Sequence, residues 1–202
     1  MKTFALLLTC ILCAFALPAR AAQVPFSSGT TAISTNVAYA AVPALGVGSV
    51  RKILAKSDSS AGTITFYNPT GPAAVVTNAL AVGYSNILCK LEGTTWSEFD
   101  VLLIRSVANN TYQRVLLSST NGSGILITNA LTAATTSFAL APGDQVYKMA
   151  SAGSYLVGAT LVNWDGEPIW HTQSEKPGLI QISATGSTTN NVITVTGYCE
   201  FK

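Results

Sequence analysis

Apolar and polar residues alternate with a period of two through most of this chain, and that pattern excludes most helical folds. "AGTITFYN" (61–68) would set Ile64 and Phe66 on one face of a strand, with Thr63, Thr65 and Tyr67 on the other. The same alternation, or a short β-branched run, recurs in "SVRKILAKS" (49–57), "NILCKL" (86–91), "FDVLLIRSV" (99–107) and "TYQRVLLSS" (112–119). It continues in "GILITN" (124–129), "QVYKM" (145–149), "YLVGATLVN" (155–163), "PIWHTQ" (168–173), "GLIQISA" (178–184) and "NVITVTGYCEF" (191–201). No sustained helical stripe interrupts them. Turn chemistry separates the runs at Asn68-Pro69-Thr70-Gly71, Asn121-Gly122, Pro142-Gly143-Asp144, Asp165-Gly166 and Lys176-Pro177-Gly178. Spacings of roughly ten to twenty residues predict an all-β chain, an antiparallel β-sandwich of jelly-roll-like form.

Two Ala-rich pieces, 72–83 and 128–143, leave room for a helical turn, although Val, Thr and Asn are poor helix formers. Both contain "TNAL", at 77–80 and 128–131, but nothing else repeats at a fixed period.

The first residues, "MKTFALLLTCILCAFALPARAA", have the three parts of an export signal: basic Lys2, an apolar stretch from Phe4 to Leu17, and small residues around Arg20. The apolar stretch is too short to span a membrane. The expected domain layout is therefore a signal peptide over 1–22, an extended arm over 23–48 and a β-sandwich domain over 49–202. The mature protein is expected outside the cell, secreted or at the surface. Removing Lys2 and Arg20 from eleven basic residues leaves nine, equal to the nine acidic ones. A formally neutral chain has no basic groove for nucleic acid and no polybasic membrane patch. Low charge also weakens repulsion between copies.

No charged residue lies between Arg20 and Arg51. The segment 23–48 is an extended arm that either edges its own sheet or adds a strand to a neighbouring copy. Two cysteines remain beyond the leader, Cys89 and Cys199. A disulfide between them in an oxidising compartment would add roughly 4 kcal/mol through loop entropy. The bland alternative is a pair of small buried hydrophobes. Two cysteines and one histidine cannot form a structural zinc site unaided.

Reactive groups concentrate in "NWDGEPIWH" (163–171), which holds the single histidine, His171. A serine hydrolase would have to use His171, and no GxSxG motif is present. Glu98 with Asp100, or Asp165 with Glu167, offers a carboxylate pair for acid–base work or calcium. Against that, Asp165-Gly166 is favourable for a two-residue hairpin turn, with Pro168 opening the returning strand. Trp96, Trp164 and Trp170 are the candidate ligand-binding residues, as a platform for sugar rings; the competing reading has Trp164 and Trp170 as packed neighbours across that hairpin. No catalytic set, metal site or cofactor is assigned.

The leading expectation is an exported, non-enzymatic structural or assembly protein that self-associates through its arm, a surface, fibre or virion-like subunit. The alternative is a secreted carbohydrate-binding module that takes polysaccharide on its tryptophans. "APGDQVYKM" (141–149) resembles stretches of β-rich structural proteins of phage particles; so short a segment carries no residue role.

Overall fold

The computed structural model describes residues 22–32, 38–57, 62–91, 93, 95–122, 124–129, 132–157, 162–184 and 192–201. Apart from Ala22, the predicted signal peptide lies outside them. The strands are β1 (Ala22–Ala32), β2 (Ala38–Val42), β3 (Gly48–Ser57), β4 (Gly62–Pro69), β5 (Ala74–Val76), β6 (Asn86–Lys90) and β7 (Val101–Ser106). They continue with β8 (Thr111–Asn121), β9 (Gly124–Asn129), β10 (Thr132–Ala133), β11 (Gln145–Val157), β12 (Val162–His171), β13 (Gly178–Ala184) and β14 (Val192–Phe201). All named pairings are antiparallel, and the described residues contain no helix. The chain is all-β, with antiparallel sheets packed together.

The larger sheet closes on itself. The ladder runs β11–β7–β8–β9–β6–β5 and returns to β11, where Gln145 faces Arg105 on one side and Val75 on the other. Alternate residues of these strands point into the resulting barrel: Ala74, Val76, Ile87, Cys89, Leu102, Ile104, Val115, Leu117, Ile125, Ile127 and Val146. At about 25 cal/mol per Å² of apolar surface removed from water, this interior is a main source of stability. Gly124 lets β9 approach β6 closely, because a Cβ there would sit 2.1 Å from the Ile87 carbonyl oxygen.

Separate segments seal the two ends. Residues 134–144 bring Ala134, Phe138 and Leu140 against the core, with Leu140 bridged to Leu80. Buried Asp144 pins that end, its carboxylate accepting the N–H of Val107 and of Ala141, each at 2.8 Å. Leu91 and Trp96 cover the other end.

β11 belongs to two structures. Its first residues, to Met149, pair with β7, whereas Met149–Val157 pair with β4. From there β4, β13 and β2 form a wing that extends the sheet. One face of the wing, with Tyr39, Ala41, Tyr67 and Leu179, packs with Leu103, Tyr147 and Met149 on the barrel's outer wall. The opposite face carries buried Ala40, Val42, Ile64, Phe66, Ile180 and Ile182. Across from that face stands the smaller sheet, in the order β1-β14-β3-β12. It contributes buried Val50, Trp170, Cys199 and Phe201.

The packed antiparallel sheets are consistent with the expected β-sandwich, while six strands close before the wing begins, an order that does not reproduce the double-sheet jelly roll. Of the two readings of the N-terminal segment, the structure shows the one in which it edges its own sheets. Residues 22–32 pair with β14 and residues 38–42 with β13, so the N-terminal segment supplies one edge strand to each sheet. Extended, uncharged chain finds its hydrogen bonds most readily on a sheet edge close by. Asp165-Gly166 is no hairpin turn either. β12 extends from Val162 to His171 beside β3, and its pairing skips from Asp165 opposite Lys52 to Trp170 opposite Val50, a register shift that leaves 166–169 without partners in the ladder. Such an insertion into one strand absorbs the same glycine and proline that a turn would.

Candidate functional site

The tryptophans occupy different surroundings. Trp170 is only 7% exposed, its ring stacked on Phe66 with centroids 5.3 Å apart. Trp96 is half-buried against the barrel core, and its indole N–H is enclosed without a partner. Trp164 lies on β12 opposite Ile53, on the same strand as Trp170 and not across a hairpin from it; its side chain lies outside the described residues. Trp96 and Trp170 therefore share no open aromatic face on which a sugar ring could stack. Glycine makes the seat of Trp170 possible: a Cβ on Gly178 would fall 2.1 Å from the indole Cη2.

Glu98 and Asp100 do not face one another across a cleft. A tight turn separates them, with Phe99 at a φ of 66°. Glu98 is exposed, while the Asp100 carboxylate accepts the N–H of Ser97 at 2.6 Å and pairs with Lys148 Nζ at 2.8 Å. Lys148 also donates to the Thr95 carbonyl at 2.7 Å, so this carboxylate ties down the loop that covers the barrel end. Asp165 and Glu167 lie on β12, and their side chains are outside the described residues.

His171 is exposed, and its Nδ1 lies 3.0 Å from Ser49 Oγ. The registers continue this pair into one row across the smaller sheet: Gln23 on β1, Glu200 on β14, Ser49 on β3 and His171 on β12. Their immediate neighbours Val50, Trp170 and Cys199 are buried, so the row lies on the face away from the core. Its chemistry differs from that of a hydrolase triad. A triad needs the imidazole between serine and acid, so that the acid orients the base; here the serine stands between the two. The preceding N–H, of Gly48, is committed to Thr172 Oγ1 at 2.7 Å and is not free to bind an oxyanion. The sequence signal for this row was the single histidine; Ser49 and Glu200 became its neighbours only through strand register.

Cys89 and Cys199 are free and buried in different cores, Cys89 inside the barrel and Cys199 on β14 between the sheets. Burial pushes their thiols up to about 11 and about 12. The expected disulfide is absent from the structure, because the fold places the two residues in separate layers. Among the described residues no group of three or more His, Cys, Asp or Glu side chains is arranged to hold a metal ion.

Sequence reasoning missed one cluster completely. Under the wing, Arg105 and Arg114 project from the outer wall of the barrel among Tyr39, Tyr67, Tyr112, Tyr147, Gln145 and Gln181. Gln145 Oε1 accepts from Arg105 Nη1 at 3.1 Å and from the Tyr147 hydroxyl at 2.7 Å. Gln181 Oε1 accepts from Arg114 Nε at 3.1 Å. The Tyr112 hydroxyl donates to Asn110 Oδ1 at 2.6 Å and accepts the N–H of Ala44 at 3.2 Å. Burial raises the Tyr112 and Tyr147 hydroxyls above the usual tyrosine value, opposed by the positive charge of Arg105. The available sequence signal was two arginines in apolar strands with no acid beside them.

Comparison with protein-family models, with curated proteins and with solved structures gives no match to this chain.

Proposed function

We propose that the protein is an exported, non-enzymatic assembly subunit whose copies join along the sheet edges formed by its N-terminal segment. One observation carries this reading: β1 and β2, the edge strands of the two sheets, pack against each other in a stretch with no charged residue between Arg20 and Arg51. Edge strands that must stay unpaired usually bear charge, proline or bulges. β12, the opposite edge of the smaller sheet, has all three: Asp165, Glu167, Pro168 and the register shift before Trp170. β1 has only Pro25 and a shift between Ser27 and Gly29 along eleven residues. A two-fold axis beside β1 would place it antiparallel to β1 of a second copy and extend the four-stranded sheet across the interface.

Sedimentation velocity on the chain lacking its leader tests the reading. The parent is expected to sediment as a dimer or larger species, and a Ser27→Lys, Thr31→Lys variant with unchanged far-ultraviolet circular dichroism as a monomer. A parent that stays monomeric at high concentration, or a folded variant that associates equally well, refutes it.

A further inference from the structure

The rows on the barrel's outer wall run Gln145–Arg105–Tyr112 and then Tyr147–Leu103–Arg114 across β11, β7 and β8. Arg105 and Arg114 are thus diagonal neighbours on one face, a relation that holds Cα atoms roughly 7–8 Å apart. Both arginines are half-buried, Arg114 reaching Gln181 on β13 of the wing and Arg105 reaching Gln145 on β11, and the described groups that meet them are neutral. The acceptors are the amide oxygens of Gln145 and Gln181, and the titratable neighbours of Arg114 are the phenols of Tyr39 and Tyr67. The carboxylates whose side chains are described are engaged or lie elsewhere. Asp100 holds Lys148, Asp144 holds two backbone N–H groups, Glu200 lies in the row on the outer face of the smaller sheet, and Glu98 and Glu175 face solvent. Arg105 Nε is enclosed with no acceptor.

Two half-buried cations on one face, without a counter-ion among the described residues, repel each other and lose hydration. An anion that reaches this face removes both penalties, and the planar fork of arginine suits a two-oxygen acceptor. Gln181 fixes Arg114 by Nε, which leaves the two Nη groups as the gripping end. We infer that Arg105 and Arg114, roofed by Gln181, Tyr39 and Tyr67, form a binding site for a small oxyanion, namely a carboxylate, sulfate or phosphate group. The Tyr39 and Tyr67 hydroxyls beside Arg114 can donate to the remaining oxygens of a tetrahedral anion. The site is separate from the β1 edge and does not depend on the assembly reading.

The test is thermal unfolding of the leaderless chain titrated with sodium sulfate, phosphate or acetate in the low millimolar range, with ionic strength held constant by sodium chloride. A saturable rise in Tm is expected, and the anion with the tightest midpoint identifies the preferred ligand class. Arg114→Gln should weaken that midpoint by about ten-fold or more, since it removes charged hydrogen bonds. Gln181→Glu places a carboxylate where the 3.1 Å contact to Arg114 now lies. It should raise Tm without added anion and abolish the titration, a result readable even if Arg114→Gln fails to fold. A parent with no saturable response, or equal responses from parent and Gln181→Glu, overturns the inference.

Discussion

Gly178→Ala tests how Trp170 is seated. The added methyl would lie 2.1 Å from Cη2 and 3.0 Å from Cζ2 of the indole, and 3.0 Å from Thr172 Cγ2. Carbon atoms rest about 3.5–4.0 Å apart, so about 1.5 Å of overlap must be relieved. The ring cannot retreat freely, because it is stacked on Phe66 in the layer between the sheets. Overpacking of this kind costs about 1–3 kcal/mol, and a broken aromatic stack about 0.5–1.5 kcal/mol more. Alanine returns about 0.4–1 kcal/mol by restricting the unfolded chain. The net expectation is a loss of about 2–3 kcal/mol, read as a lower urea midpoint at unchanged slope. The same substitution in a Trp170→Leu background removes the atoms it strikes, so its penalty there should fall below about 1 kcal/mol. A Gly178→Ala variant within about 0.5 kcal/mol of its parent, or an equal penalty in both backgrounds, would refute the packing argument.

Two further outcomes follow from buried groups. Asp144→Ala removes two carboxylate–backbone bonds at the sealed barrel end and should cost about 2–4 kcal/mol; hydrogen exchange should quicken at Val107 and Ala141 first, and uniform exchange across the barrel would contradict the local pin. The cysteine thiols are raised from 9.0 to about 11 and about 12, so the folded state holds these protons more tightly than the unfolded chain. Their contribution is complete below pH 9 and is lost as pH rises through 9 toward 11–12. Urea stability should therefore decline above pH 9, less so in a Cys89→Ala, Cys199→Ala variant, while thiol reagents at pH 8 label the native protein slowly and the unfolded chain at both sites. Rapid native labelling would show that the thiols are not enclosed.

Much of the fold was legible because strand chemistry is local. Ile64 and Phe66 alternate with Thr65 and Tyr67, and β4 forms there; the Asn121-Gly122 signal falls at the junction of β8 and β9. "VLLI" at 101–104 carried more information than its alternation suggested. Leu102, Leu103 and Ile104 are all buried because β7 faces the barrel interior on one side and the wing on the other. Asp165-Gly166 misled because glycine and proline suit a bulge as well as a turn, and only the pairing of β12 with β3 distinguishes them. Trp170 and the cysteines were open for a related reason: a sequence shows that a residue is apolar, not which of several cores receives it.

Local sequence was enough to set the strands, the antiparallel all-β class, the low charge, and the uncharged stretch that became two sheet edges. These follow from side-chain periodicity and backbone preference within a few residues. Long-range pairing, by contrast, closes six strands into a barrel, puts Trp170 under Phe66 instead of facing solvent, and sends Cys89 and Cys199 into separate layers. It also puts Arg105 and Arg114 on one face of the barrel wall, with no carboxylate beside them among the described residues. Each of these depends on register between strands distant in sequence, and register is settled by the joint burial of many side chains rather than by any short segment.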